Sequence, residues 1–244
     1  MSKLFIGTSG FNYLHWENGI FYPKDLSKKK QLEYFAQHFK SVELNNTFYR
    51  LPSPKTFLNW QRKTPPDFLF AIKVSRFITH VKKLNQCQKI WKTFLERSLI
   101  LEEKLGPFLF QLPPNWKINI SRFKDFIKII EENDFNLKFV FEFRNSSWFS
   151  PDTFQFFKNY NNISLCSADS PFWPKTSITG ERFIYIRMHG RKILYSSNYS
   201  KKELKKLAFQ IKKYLKKGLD VYCYFNNDAR GFAVKNVKQL LEMI

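Results

Sequence analysis

Eight short apolar segments recur along this chain, most of them separated by stretches with the three- and four-residue apolar spacing of amphipathic helices. The segments are LFIG from Leu4, VELN from Val42, LFAIKV from Leu69, FLFQL from Phe108, FVFEF from Phe139, ISLCSA from Ile163, FIYIRM from Phe183 and VYCYF from Val221. Helical patterns run from Lys28 to Phe39, Gln86 to Leu105, Ile120 to Glu132 and Lys201 to Lys217, with shorter ones from Asp152 to Tyr160 and Ala233 to Met243. Ser170 to Glu181 reads as a loop. Strands that alternate with helices pair in parallel, and eight of them suit a closed barrel better than an open doubly wound sheet, whose glycine-rich phosphate fingerprint is missing. The expected fold is a single eight-stranded parallel β/α (TIM-type) barrel domain over residues 1–244.

Alternation within each strand then assigns an interior. Inward groups at the C-terminal strand ends form the mouth of such a barrel. In FVFEFRN the phenylalanines suit the helix layer, which turns Val140, Glu142 and Arg144 inward. The same phase turns in Glu43 and Asn45, Ala71, Lys73 and Ser75, Gln111, Tyr185, Arg187 and His189, and Tyr222, Tyr224 and Asn226. The sixth strand is less clear in phase, and Asp169 closes it at the mouth. Buried charges cost several kcal/mol each unless paired, so this polar set reads as a site. A self-neutralising network is the competing account.

Each candidate carries a chemical role. Glu43, Glu142, His189 and Asp169 are the catalytic candidates, with Glu142 or Glu43 as base and His189 suited to acid/base work near neutral pH. Lys73, Gln111, Arg144, Arg187, Asn45, Asn226, Asn227, Trp148 and Tyr195 are the substrate-binding candidates. Arg144 and Arg187 are assigned as clamps on phosphate or carboxylate. Lys73 could form a Schiff base if burial lowered its pKa, but pairing with a carboxylate or phosphate is the preferred reading. Phe48, Tyr49, Trp148, Trp173 and Tyr195 offer stacking surfaces, with core packing the equal alternative. Two acids across a barrel also suit glycoside hydrolysis, a weak reading without their separation. Glu43, Glu142, Asp169 and His189 are donors of the kind metal-dependent barrels scatter over their strands. However, no H-x-H or second interior histidine accompanies them, the neighbouring cations oppose a metal, and none is assigned. No cofactor is indicated.

Composition narrows the partners. A formal charge of +21 invites nucleic acid, yet the lysines fall between the apolar positions of helices, where they face water. The abundance of Lys, Asn, Phe and Ile also points to a general compositional bias. Cys87, Cys166 and Cys223 form no C-x-x-C and read as buried thiols. No apolar run approaches the ~20 residues of a membrane span, and MSKLFIGTSG reads as a strand rather than a signal, so the expectation is a cytoplasmic protein without a membrane partner.

Several separated motifs in order carry a resemblance. They are IGTSGFNYLHW with FYP after it, VELNNTFYRLPS with Trp60 downstream, FAIKVSRFITH, LFQLPP, FEFRNSSW, IRMHGR followed by Tyr195, and YFNNDARGFAVKNVKQL. With these the chain resembles the domain-of-unknown-function 72 family, also called YecE-like proteins, nearly end to end. The resemblance implies an eight-stranded β/α barrel and no particular reaction. Two positions depart from the family pattern: Phe11, where Trp is common, and Asp228, where a small hydroxylated residue is common. Function is then expected to be that of an enzyme, a hydrolase or lyase acting on an anionic small molecule at the mouth. A nucleic-acid-binding protein is the rival.

Overall fold

The computed structural model of the chain describes residues 2–17, 19–132, 136–174 and 182–244. Its strands are β1 (Leu4–Ser9), β2 (Ser41–Leu44), β3 (Leu69–Lys73), β4 (Leu105–Gln111), β5 (Phe139–Glu142), β6 (Ile163–Asp169), β7 (Phe183–Met188) and β8 (Asp220–Phe225). They form a closed barrel in chain order, β8 pairing back onto β1, and every pair is parallel. All eight expected strands are present. Gly7 fits where β1 crowds β2, because a Cβ there would overlap the Ser41 carbonyl oxygen.

The helices are α1 (Gln31–His38), α2 (Asn46–Tyr49), α3 (Pro54–Arg62), α4 (Gln88–Ser98), α5 (Ile120–Glu131), α6 (Pro151–Lys158), α7 (Lys201–Lys216) and α8 (Phe232–Leu241). Helix α7 starts from a reciprocal capping box between Ser200 and Glu203. The helix expected from Gln86 to Leu105 is broken. It ends at Ser98 and continues as a 3-10 segment, Leu99–Lys104, in which Glu102 takes φ 53°, while Leu105 already opens β4. Helix α3 carries no long apolar period, but Ser53 caps it by accepting from the Thr56 N–H and Pro54 occupies its first turn. The loop expected from Ser170 to Glu181 is irregular through Pro174, and 175–181 lie outside the described residues.

Alternation divides the apolar residues into two layers. The larger layer packs strand faces such as Phe70, Phe108, Phe141 and Ile184 against the helices. The smaller fills the barrel with Leu109, Val140, Cys166, Tyr185, Tyr222 and Tyr224, among others. The sixth strand thereby gains its phase: Cys166 and Ala168 face inward. The three cysteines are buried. Among the described residues, no helix is long and apolar enough to cross a membrane.

Candidate functional site

At the C-terminal end the filling changes from apolar to charged. Arg187 on β7 lies fully buried between Glu43 on β2 and Glu142 on β5. Its Nη2 donates to Glu43 Oε1 at 2.7 Å, its Nε to Glu43 Oε2 at 3.0 Å, and its Nη1 to Glu142 Oε2 at 2.6 Å. Glu43 also accepts from Ser9 Oγ at 2.6 Å and Tyr185 Oη at 2.7 Å. Arg144, two residues beyond β5, donates from Nε to Glu142 Oε1 at 2.8 Å and from Nη2 to Gln111 Oε1 at 2.9 Å. The indole of Trp173 covers this guanidinium, with Cζ 3.7 Å from the ring centroid.

These contacts fix the charge states. Burial alone would raise the Glu43 carboxyl, but the charge and hydrogen bonds of Arg187, with those of Ser9 and Tyr185, hold it below the usual carboxylate value. Burial opposes ionisation of Glu142 as well, and Arg187, Arg144 and the His189 contact hold it well below that value. His189 is pushed down to about 4, by burial first and by Arg187 second, against the pull of Glu142. Its imidazole is therefore neutral at pH 7. Nδ1 lies 3.1 Å from Asn226 Nδ2, while Nε2 faces Glu142 Oε2 at 3.4 Å and Arg187 Nη1 at 3.3 Å.

Arg187, expected as a clamp on the ligand, has no exposed surface, and its Nε, Nη1 and Nη2 are committed to the two glutamates. The glutamates in turn lack the raised pKa that a general base working near neutral pH needs. Arg144 stays closer to the mouth, its Nη2 3.4 Å from Tyr195 Oη.

Lys73 differs from the other cations. It ends β3 in the inward phase, and its Nζ sits 4.0 Å from the centroid of the Phe48 ring. The preferred reading paired it with an anion, but no ion pair joins it to a carboxylate among the described residues. Burial and the nearby Arg187 lower its pKa to about 7, against the opposing pull of Glu43 and Glu142. Above it opens a cavity of about 500 Å³, lined by Lys73, Tyr13, Tyr49, Tyr195 and the asparagines Asn12, Asn45, Asn46 and Asn226, with Gly10, Phe11 and Leu44. Among the described residues, Lys73 is the one charged group in that lining.

Tyr195 is held there at a cost. Its φ of 62° lies in the left-handed region, which disfavours non-glycine residues by roughly 1 kcal/mol or more. Hydrogen bonds fix it on both sides: its N–H donates to the His189 carbonyl at 2.6 Å, and its carbonyl accepts from the Ala229 N–H at 3.1 Å.

Three expected site residues stand elsewhere. Asp169 is out of phase with the inward Cys166 and Ala168, and it reaches Arg191 Nε at 3.4 Å instead of the glutamates. Asn227 follows the inward Asn226 and so points away from it, donating to the Ser197 carbonyl and to Asn236 Oδ1 at 2.8 and 2.9 Å. Trp148 is fully buried, stacked on Phe143 at 4.0 Å, its indole N–H given to the Trp116 carbonyl. The site residues given no role from the sequence are Ser9, Asn12, Tyr13 and Asn46. Alternation in LFIGTS would have turned Ser9 inward, whereas the other three lie outside the strands and carry no periodic signal. Asp228, the departure noted above, accepts from Trp16 Nε1 and pairs with His15 Nε2, both at 2.7 Å. Among the described residues, no three of His, Cys, Asp and Glu are grouped to hold a metal ion.

Comparison with known proteins agrees with this architecture. The chain is 27% identical to the UPF0759 protein YunF of Bacillus subtilis over 99% of this chain and 94% of that one. It is 39% identical to the UPF0759 protein YecE of Escherichia coli over 82 residues, 34% of this chain and 30% of that one. Among solved structures, a DUF72 family protein of Thermotoga maritima superposes with a TM-score of 0.86 at 31% identity, covering 99% of this chain and 98% of that one. One from Enterococcus faecalis shares the fold with a TM-score of 0.83 at 21% identity, over 98% and 94% of the two chains. The profile of the family described as "Protein of unknown function DUF72" matches residues 5–244, and the chain belongs to that family.

Proposed function

We propose that this barrel is an enzyme, a lyase rather than a hydrolase, that binds a small carboxylate- or phosphate-bearing compound in the cavity over Lys73. One observation carries the reading. Lys73 lines a cavity of about 500 Å³ with no carboxylate partner among the described residues, while the glutamates beneath are already neutralised by Arg187 and Arg144. An anionic group on the ligand supplies the missing counter-charge. The amides of Asn12, Asn45, Asn46 and Asn226 suit hydroxyl and carbonyl oxygens, which both donate and accept. Lyase chemistry is favoured over hydrolysis because neither glutamate is tuned to activate water, whereas a lysine near neutrality both takes up and releases a proton.

The test is a thermal-shift and calorimetric screen of the full chain against phosphate monoesters, hydroxy- and keto-carboxylates and uncharged sugars. Anionic compounds should raise the melting temperature of the wild type, and Lys73→Met should remove that effect. Binding untouched by Lys73→Met, or none across the screen, sinks the reading.

The nucleic-acid alternative rests on α7, where Lys201, Lys205 and Lys213 flank Phe209, whose side chain is exposed. Binding that weakens steeply with salt and is lost on replacing these lysines would support it.

A further inference from the structure

We propose that Lys73 Nζ is a covalent nucleophile, and that the compound held in the cavity is an aldehyde or ketone captured as an imine. The inference rests on the cavity being the ligand site argued above and adds the chemistry by which it holds its ligand.

Three features of the position support it. The amine lines the cavity at the end of β3, where an interior strand fixes the start of the side chain. Its Nζ lies 4.0 Å over the Phe48 ring, whose face attracts an ammonium more weakly than a paired carboxylate would and so leaves deprotonation accessible. The cations around it are already committed, Arg187 to Glu43 and Glu142, and Arg144 to Glu142, so they neither compete for nor quench the lysine. A lowered lysine pKa follows from the same surroundings and leaves a share of the amine with a free lone pair at neutral pH.

The step balances without a redox partner. The amine lone pair forms a C–N bond to the carbonyl carbon, and the C=O π pair moves to oxygen, which takes a proton. The resulting carbinolamine loses that oxygen as water, using the proton shed by nitrogen and leaving a C=N bond. Amine and carbonyl thus give imine and water. A protonated imine then draws electrons from the adjacent carbon, the service a lyase needs when it breaks a bond there. The cavity asparagines are placed for the ligand's remaining oxygens, and a carboxylate or phosphate beside the carbonyl suits the unbalanced positive charge.

Reductive trapping tests this on the intact wild-type chain. Glyoxylate, pyruvate and glycolaldehyde phosphate are each incubated with the protein and sodium cyanoborohydride, and peptide mass spectrometry locates the resulting secondary amines. At least one probe is expected to label Lys73 roughly tenfold or more faster than the exposed lysines of α7. Lys73→Arg, which keeps the cation, should lose that fast label while the α7 lysines react as before. Labelling spread over α7 with no preference for Lys73 overturns the proposal. If anionic compounds still raise the melting temperature in a Lys73-dependent way but no probe labels Lys73, the covalent step fails and the binding site stands. If neither effect is seen, both fail.

Discussion

Arg187 and Glu43 meet through two parallel hydrogen bonds, 2.7 and 3.0 Å long, with neither side chain exposed. Removing one member of such a buried group typically costs about 3–5 kcal/mol, because the partner is left charged and unpaired. Arg187→Met should therefore lower the unfolding free energy by about that amount at pH 7. The sign of its pH dependence is fixed by the carboxylates. In the wild type their depressed values make the contribution present at neutral pH and lost as pH falls through the folded-state values. Without Arg187 the largest influence opposing burial is gone, leaving Ser9 and Tyr185 at Glu43 and Arg144 and His189 at Glu142, so both carboxyls shift upward and the variant loses less stability, or gains it, as they take up protons. Urea midpoints at pH 7 and pH 5 should show the gap between the two proteins narrowing at the lower pH. A loss below about 1 kcal/mol, or a gap independent of pH, contradicts the role assigned to Arg187.

His189 makes the fold acid-sensitive by a separate route. Its folded-state value is about 4 against an ordinary 6.5, so below pH 6.5 the unfolded chain takes up a proton that the folded chain refuses. Stability is then lost between those two values, at up to about 1.4 kcal/mol per pH unit. Ring-nitrogen NMR should show two of the four histidines, His80 and His189, still neutral at pH 5.5 in the folded protein, and His189→Gln should remove one of those two signals. Every histidine titrating near 6.5 is the contrary result.

Lys73 acts in the same direction over a higher pH window. Between about 7 and 10.5 the unfolded chain holds a proton that the folded chain has released, so wild-type stability rises with pH across that window. The groups that set this value are Arg187 and Arg144, which lower it, and Glu43 and Glu142, which raise it; His80 also lies within electrostatic reach. Lys73→Met should lose this rise and be the more stable protein at pH 7, by roughly 1–2 kcal/mol, while no longer binding anions. Urea titrations from pH 7 to 9.5 decide the matter. Equal slopes for the two proteins would mean that the amine stays charged in the fold.

The barrel was legible because strand phase is a period of two, and a period survives without coordinates. FVFEFRN alone placed Val140, Glu142 and Arg144 on one face; Val140 packs in the barrel interior and Glu142 pairs with Arg144 above it. Phase failed where the strand ended. Asn227 lies one residue past the inward Asn226 and therefore turns outward, and Trp148 sits in a 3-10 turn beyond β5, where no alternation applies. Asp169 does close β6, but β6 mixes small and polar residues on both faces, which hid the phase that turns its side chain toward Arg191. Whether Lys73 had a partner was a matter of distances across the barrel, which spacing along a chain does not encode. The loop asparagines Asn12 and Asn46 lacked any period to reveal them.

Trp148 separates packing from site chemistry. Its ring lies on Phe143 at 4.0 Å with an interplanar angle of 1°, and Trp116 and Phe123 close the cluster at 4.9 and 5.4 Å. Truncating a large buried aromatic costs about 3–5 kcal/mol through lost contacts and the cavity left behind. Trp148→Ala should pay that full cost, and Trp148→Phe a smaller one, since a ring stacked on Phe143 is kept while part of the indole's volume and its hydrogen bond to the Trp116 carbonyl go. Tyr195→Phe should show the opposite profile. It keeps the ring against His189, 5.5 Å away, gives up the contact between its hydroxyl and Arg144, and should change stability by less than about 1 kcal/mol. In the thermal-shift screen, Trp148→Phe should bind anions as the wild type does, whereas Tyr195→Phe should weaken them, because that hydroxyl stands at the cavity wall. Weakened binding in Trp148→Phe with none in Tyr195→Phe would return Trp148 to the site and remove Tyr195 from it.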